Sequence, residues 1–270
     1  MLGLGKRVLS RWQAAGIHLG CSALLAIAAG ILLFGVWYPQ PYTAAAGADR
    51  LIVLLIGIDL VVGPLLTLIV YRHGKRGMAF DIGFIASVQL AALVYGLLVI
   101  ADSRPVYVVV AKDMVYLTMA SSLSDEDLRA AGDPRFRRRA WTGPVLVAAP
   151  PPESQHEREV LLESGLAGKD IDRLPRYYRD FAKAGPALVA TAPKLSLLGE
   201  HGPARELVAR FVQSQGKPIE TLHFLPLRGR NPEQDTVIVF AVDAAAPLGA
   251  LSVDPWPVIE RWKREGQDRR

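Results

Sequence analysis

Apolar residues dominate the first hundred positions and form three nearly continuous segments, at 17–38, 51–71 and 80–100. A helix needs about 20 apolar residues, each rising about 1.5 Å, to cross the hydrocarbon core of a bilayer, which is roughly 30 Å thick. Each of the three segments has this length. The pattern therefore predicts a membrane domain over residues 1–103 with three transmembrane helices.

The pattern changes after Arg104-Pro105, since proline does not continue a helix and favours extended backbone before it. Short β-rich runs predict strands at 106–111, 114–119, 145–148, 222–227, 236–242 and 248–253. Helical patterns lie at 125–132 after Ser124, at 153–166 and at 203–215. Residues 254–257 are predicted to form a turn before a polar, basic tail. Residues 104–270 are thus predicted to form an α+β domain.

The distribution of cations predicts how the chain crosses the membrane. Three cations precede the first span, one lies between the first and second, and three lie between the second and third (Lys6, Arg7, Arg11; Arg50; Arg72, Lys75, Arg76). Positively charged loops stay in the cytoplasm. The N-terminus and the 72–77 turn are therefore predicted to be cytoplasmic, and the α+β domain periplasmic, in a bacterial inner membrane. A cleaved signal peptide is the alternative for the first segment, but residues 37–39 lack a small-residue cleavage pattern.

The charge balance adds little to this picture. The formal net charge is +5, but residues 1–103 carry seven Lys and Arg against four Asp and Glu, and the rest carries 24 against 22. The basic excess is chiefly a topology signal, and nucleic-acid binding is not expected. Cys21 is the only cysteine, so neither an intramolecular disulfide nor a cysteine zinc site is possible.

The second span contains two unusual residues, Asp59 and Pro64. An ionised carboxylate at this depth costs at least about 2.5 kcal/mol, so it should be neutral, paired or turned towards other helices. Counting residues along the helices places Gln89 and Tyr95 within about 6 Å of its level. Two interpretations stay open: a hydrogen bond that fixes helix packing, or a polar docking point for another protein's transmembrane helix. Gly63 and Pro64 fit either interpretation, because small residues let helices approach closely.

No catalytic machinery is predicted. Asp81 differs from Asp59 in depth by about 18 Å, which is too far for two carboxylates that share a proton. The five histidines are scattered, His156 is expected to be exposed, and no nucleophile elbow or phosphate-binding loop occurs. The sequence therefore predicts no enzyme, no metal site and no cofactor.

Two aromatic groups remain outside the membrane domain. Residues 135–139, with Trp141, form a basic–aromatic run that is predicted to be a solvated or membrane-facing surface rather than a specific site for an acidic partner. Tyr177 and Tyr178 follow a proline and are predicted to be core residues.

The whole chain resembles the type IV pilin accessory protein family, the TfpX/TfpZ group. The resemblance begins with Arg-Trp-Gln-Ala-Ala-Gly-Ile-His-Leu at 11–19, and its most distinctive part combines Asp59 with Gly63-Pro64 in one span. The other similar stretches are 36–39, 80–81, 89–96 and 104–107, with weaker similarity at 225–228 and 255–256.

This resemblance implies an inner-membrane accessory protein that assists the assembly of a major or minor pilin, as a pilin-specific chaperone or assembly modulator. It implies no enzymatic activity and no cofactor, and it supplies no site residues. The expected partners are a type IV pilin, other pilus assembly proteins and membrane lipid. The alternative is a periplasmic sensing or scaffold membrane protein that is not specific to pilin.

Overall fold

The computed structural model describes residues 9–47, 49–73, 75–200, 202–230 and 235–267. The chain divides into two compact units. The first contains the three long apolar helices, and the second combines Trp37–Gly47 with Ser103–Arg270. Lys6 and Arg7, on which the predicted orientation partly depends, lie outside the described residues.

The helices of the first unit confirm the three predicted spans in number and order. Helix α1 (Arg11–Gly30) continues as a π-helix (Ile31–Trp37), a short helix α2 (Tyr42–Ala45) follows, and α3 (Asp49–Val70) and α4 (Met78–Asp102) complete the series. All three long helices have the length and composition of membrane spans. Helix α1 begins before the predicted residue 17, because Ser10 and Gln13 form a reciprocal capping box that fixes its first turn.

The second unit is built on a mixed sheet of seven strands. These are β1 (Pro105–Ala111), β2 (Met114–Met119), β3 (Val145–Ala148), β4 (Arg179–Asp180), β5 (Leu222–Arg228), β6 (Val237–Ala241) and β7 (Gly249–Leu251). Their order across the sheet is β4-β3-β1-β2-β5-β6-β7. Strands β1 and β2 form the predicted hairpin, whereas β2 meets β5 in parallel over only two residue pairs.

Besides α2, six further α-helices lie among the described residues of this unit. They are α5 (Asp125–Arg129), α6 (Gln155–Leu166), α7 (Phe181–Ala190), α8 (Leu195–Gly199), α9 (Arg205–Gln215) and α10 (Trp256–Gln267). The mixture of helices and sheet confirms the predicted α+β class. Helices α7 and α8 were not predicted, and the turn predicted over 254–257 is wrong at its end, because α10 begins at Trp256 and continues through the polar, basic segment. That segment is helical because Val258 and Ile259 are buried in a core and anchor its first turn.

One face of the sheet carries two separate hydrophobic cores. Tyr107 and Val109 of β1 point into the first core, and the register brings Tyr116 of β2 to the same face. Tyr116 pairs with Arg228, and alternation along β5 then places Phe224 on this face, in the second core. Tyr177 and Tyr178 belong to the first core, as predicted. The other face is covered by α7, whose Phe181 ring lies 5.6 Å from that of Phe240.

The basic–aromatic run at 135–139 is partly structural. Phe136 is buried in the first core, so the predicted solvated surface is wrong for this residue. Tyr107 Oη reaches back from β1 to donate a hydrogen bond of 2.7 Å to the Arg138 carbonyl. The Arg139 guanidinium donates to the carbonyls of Ala120 and Leu123. These hydrogen bonds hold the run in place and supply donors to the carbonyls of Arg138, Ala120 and Leu123.

Arg104 forms a buried clamp with two tryptophans. Its guanidinium lies over Trp37 at 5.7 Å and over Trp141 at 4.9 Å, and it donates two hydrogen bonds to the Ala140 carbonyl. Only 5% of Arg104 is exposed. A desolvated guanidinium over an aromatic face is stabilised by about 2 kcal/mol. Arg104, two residues after the end of α4, therefore contacts Trp37, the last residue of the π-helix.

Trp37–Gly47 is packed into the second unit, although it lies between the first two spans in sequence. Thr43 donates a hydrogen bond of 2.5 Å to the Tyr38 carbonyl, and both residues are buried. Ala45 contacts Gly229 so closely that a Cβ on Gly229 would lie 2.0 Å from the Ala45 oxygen. Only glycine permits this approach.

A polar cleft separates the two cores at the junction of β2 and β5. It has a volume of about 380 Å³ and is lined by Tyr116, Thr118, Asp170, Asp172, Arg173, Arg228 and Arg230, among others. The Asp172 side chain is 13% exposed, and its nearest cation is Arg173 Nε at 3.8 Å. Burial raises the pKa of Asp172 to about 6. Asp170 is also partly buried, but hydrogen bonds from Ile171 N–H and Lys112 lower its pKa.

Replacing Gly229 by alanine tests the close approach to Ala45. We expect Gly229→Ala to lower the free energy of unfolding by about 1–3 kcal/mol, as overpacking usually does. The measurement is the thermal midpoint of the full chain in detergent. Gly132→Ala is the matched control, because no atom lies within 4 Å of a Cβ built there. Equal midpoints for both variants would contradict the contact.

Replacing Asp172 by asparagine tests the cleft through pH. The folded pKa lies above the ordinary value of 3.8, so ionisation of Asp172 lowers the stability as pH rises from 4 towards 7. Asp172→Asn should therefore be more stable than the native chain at pH 7.5, by up to about 3 kcal/mol, and equal to it near pH 4. Thermal unfolding across this pH range measures the difference. Asp170→Asn should act in the opposite direction at pH 7.5, since it removes a carboxylate whose pKa is lowered.

Candidate functional site

The polar residues of the membrane helices meet at the level of Asp59. Gln89 Nε2 of α4 donates to Asp59 Oδ1 and to the Asp59 carbonyl of α3, at 3.2 Å each. Both residues lie eleven positions from the turn that joins the two helices, or about 16 Å along each helix. The structure thus brings together two of the residues singled out from the sequence.

Gly63 makes this contact possible. A Cβ on Gly63 would lie 2.3 Å from both Nε2 and Oε1 of Gln89, so the amide rests directly on the backbone of α3. Gln89 Oε1 is buried and has no hydrogen-bond partner among the described residues. Pro64 lies inside α3 and leaves the Leu60 carbonyl without its usual helical N–H donor. Polar groups therefore remain unsatisfied around Asp59.

Tyr95 is the member of the predicted set that lies elsewhere. Its side chain is 71% exposed. Six residues separate it from Gln89 on α4, which places the two about 120° apart around the helix. Counting residues places Tyr95 near the depth of Asp59, but it does not show which face of α4 carries Tyr95.

A second polar pair joins α1 to α3. His18 Nδ1 and Thr67 Oγ1 are 2.6 Å apart, and Thr67 is almost fully buried. The sequence prediction missed both residues as part of the site. Their signal was present, because each is a hydrogen-bonding side chain in an otherwise apolar span. Helix α3 is thus hydrogen-bonded to α1 near one end and to α4 at mid-depth.

A cavity of about 260 Å³ lies between α1 and α4, next to Asp59. It is lined by Ala14, Ile17, His18, Cys21, Ser22 and Leu25 of α1, by Asp59 of α3, and by Ile82, Ala86, Gln89 and Leu90 of α4. Apolar side chains form most of its walls, and Asp59 is at its floor. Such a site accepts a mostly apolar group that carries a hydrogen-bonding atom.

Asp81 takes no part in this cluster. Its carboxylate pairs with Lys75 at 2.5 Å across the turn between α3 and α4. Within the described ranges, no three His, Cys, Asp or Glu side chains are close enough to hold a metal ion. The arrangement around Asp59 is suited to hydrogen bonding between helices.

Three apolar helices, a mostly apolar cavity lined by Asp59 and an α+β domain define a membrane protein with a second unit of mixed helices and sheet. The family described as fimbrial assembly protein FimB matches residues 6–47. A fimbrial assembly protein of serogroup E1 from Dichelobacter nodosus is 32% identical over 82% of this chain and 88% of its own length. The chain therefore belongs to the fimbrial assembly protein family.

Two further relatives from Dichelobacter nodosus agree with this assignment. The fimbrial assembly protein of serogroup I is 32% identical over 82% of this chain and 88% of its own length. That of serogroups C1 and C2 is 38% identical over 45% of this chain and 95% of its own length. No solved structure matches the chain.

A double-mutant cycle tests the contact between Gly63 and Gln89. Gly63→Ala should destabilise the detergent-solubilised protein by about 1–3 kcal/mol, because the new methyl group displaces the Gln89 amide from Asp59. In the Gln89→Ala background the same substitution should cost clearly less. Thermal unfolding of the four proteins measures the coupling. Gly57→Ala is the control, since a Cβ built on Gly57 meets no atom within 4 Å; additive effects at Gly63 and Gln89 would contradict the contact.

Proposed function

We propose that this protein is an inner-membrane accessory protein of type IV pilus biogenesis that binds a pilin, as a chaperone or assembly modulator. Its membership of the fimbrial assembly protein family gives it a role in fimbrial biogenesis. In the proposal, the helical bundle contacts the membrane-embedded part of the client and the α+β domain contacts the part outside the membrane. The protein carries out no chemical step on the client.

The distribution of charge supports an orientation with the N-terminus in the cytoplasm. The turn between α3 and α4 carries Arg72, Lys75 and Arg76, and Arg11 opens α1 at the same side of the bundle. At the opposite side of the bundle the only cation near the ends of α1 and α3 in the sequence is Arg50, in the first turn of α3, and Trp37 and Tyr38 follow α1, as expected for a membrane–water interface. Three crossings then leave the α+β domain in the periplasm, where the globular part of a pilin lies before assembly.

The mostly apolar cavity of the membrane unit, with Asp59 at its floor, is the observation that carries the proposal of client binding. Asp59 has one described hydrogen-bond donor, Gln89, and its Oδ2 atom has none among the described residues. An intramembrane acid that lines a cavity usually marks a functional site, because leaving it there is costly. A client that inserts one helix into the bilayer offers the matching surface.

The soluble unit supports the second half of the proposal. Its cleft at the β2–β5 junction contains acids and arginines together, and Arg228 and Arg230 form no ion pair among the described residues. Groups of both signs suit a polar protein surface, since complementary charges steer association and fix its orientation. A periplasmic sensing or scaffold protein is the alternative, and it requires no pilin in the complex.

Co-purification from native membranes tests the proposal. The tagged native chain should recover pilin in stoichiometric amounts, identified by mass spectrometry. Asp59→Ala should recover several-fold less pilin at an unchanged level of the accessory protein, because its polar contact inside the membrane is lost. Ile58→Ala is the matched control, since that neighbouring side chain is 54% exposed on the outside of α3.

Two outcomes would change the conclusion. Absence of pilin even after crosslinking would favour the sensing or scaffold protein. Loss of the Asp59→Ala protein itself, together with pilin, would assign Asp59 to helix packing instead of client binding.

A further inference from the structure

The walls of the membrane cavity form two helical stripes. On α1 the lining residues are 14, 17, 18, 21, 22 and 25, and on α4 they are 82, 86, 89 and 90. Steps of three and four residues keep each set on one face of its helix. The stripe on α1 covers about 17 Å and that on α4 about 12 Å along their axes. The cavity therefore runs parallel to the two helices and forms a groove between them.

Helix packing leaves this groove open. Helix α3 packs along both α1 and α4 and is hydrogen-bonded to each, through Thr67 and Asp59. The cavity lies between α1 and α4, and among the described residues only Asp59 of α3 lines it besides these two helices. Small side chains at Ala14, Ser22 and Ala86 keep the groove wide enough for close approach of another helix.

The floor of the groove distinguishes between possible occupants. Asp59 lines this floor, and its Oδ2 atom is an acceptor without a partner among the described residues. A lipid chain offers no hydrogen-bond donor, whereas leaving a polar group unsatisfied in hydrocarbon costs several kcal/mol. A polar side chain on a neighbouring transmembrane helix supplies such a donor.

We propose that the groove between α1 and α4 receives a single transmembrane helix of the client, which donates a hydrogen bond from a polar side chain level with Asp59. This inference rests on the proposed function, since the client is the pilin of that proposal. The client's helix completes a four-helix arrangement in which α3 lies opposite the incoming helix. Specificity arises from the one depth at which the client's polar side chain meets the acceptor.

Cys21 provides a direct test, because it is the only cysteine and lines the groove. Single cysteines are placed at successive positions along the transmembrane helix of the co-purifying pilin, and disulfides are formed in native membranes. We expect crosslinks to the native chain every three or four positions, on one face of the pilin helix. The control chain carries Cys21→Ser and Leu19→Cys, since Leu19 is 45% exposed and lies about 160° away around α1 at nearly the same depth.

The donor requirement is tested on Asp59 in the same assay. Asp59→Asn keeps an acceptor oxygen and should retain most of the crosslinking. Asp59→Leu keeps the approximate volume without an acceptor and should reduce crosslinking at least fivefold. The amount of protein in the membrane and its thermal midpoint show whether either variant fails to fold.

Several outcomes would overturn the inference. Crosslinks that form from the Leu19→Cys chain but not from Cys21 would place the client on another face, and the proposed function would still stand. Crosslinks from Cys21 to a second copy of this chain would make the groove a dimer contact. Equal crosslinking of Asp59→Leu and the native chain would show that the client helix binds without a hydrogen bond to Asp59. If pilin neither co-purifies nor crosslinks, the proposed function and the groove fail together.

Discussion

The structure of the membrane unit depends on one constraint, namely that a carboxyl group in hydrocarbon must have a hydrogen-bonding partner. Asp59 obtains it from Gln89, and this fixes how far α4 is shifted along α3. The contact requires a glycine at position 63, because any side chain there would occupy the place of the amide. Asp59 thus determines the depth of Gln89 along α4, and their contact requires a glycine at position 63.

The helices on either side of α3 are attached to it at different places. His18 hydrogen-bonds α1 to Thr67, some distance along α3 from the contact between Asp59 and Gln89. The cavity between α1 and α4 is lined by His18, Asp59 and Gln89, which belong to these two contacts. The interaction that stabilises the bundle and the proposed client-binding surface are therefore made by neighbouring atoms.

The elements that depend on local pattern were largely predictable from the sequence. The three spans, the β1–β2 hairpin and the helix that follows Ser124 agree with the structure because each is specified by residues close together in the chain. Helix α10 was missed, since its polar composition outweighs the two buried residues that anchor it. Element types follow more readily from strongly apolar segments than from a mostly polar one, even where its few apolar residues lie on one face.

The sequence predicted the depth of the candidate site residues along their helices, but not the helix face on which each residue lies. Counting along the helices placed Gln89 correctly beside Asp59, and it gave Tyr95 the same standing although Tyr95 faces away. The pair His18 and Thr67 depends on the contact between α1 and α3, which no periodicity within one span reveals. Helix rotation is set by packing, so it could not be obtained from spacing alone.

The contact between Ala45 and Gly229 means that the soluble unit is discontinuous in the chain. Residues 37–47 are synthesised before the second and third spans, yet Gly229, directly after β5, is made long afterwards. During synthesis this segment is therefore present before its contacts can form. Trp37, for example, still lacks the Arg104 and Trp141 side chains that later enclose it. The soluble unit therefore completes its folding only after the membrane helices have been inserted, and a fragment that starts at residue 104 is missing a part of its own core.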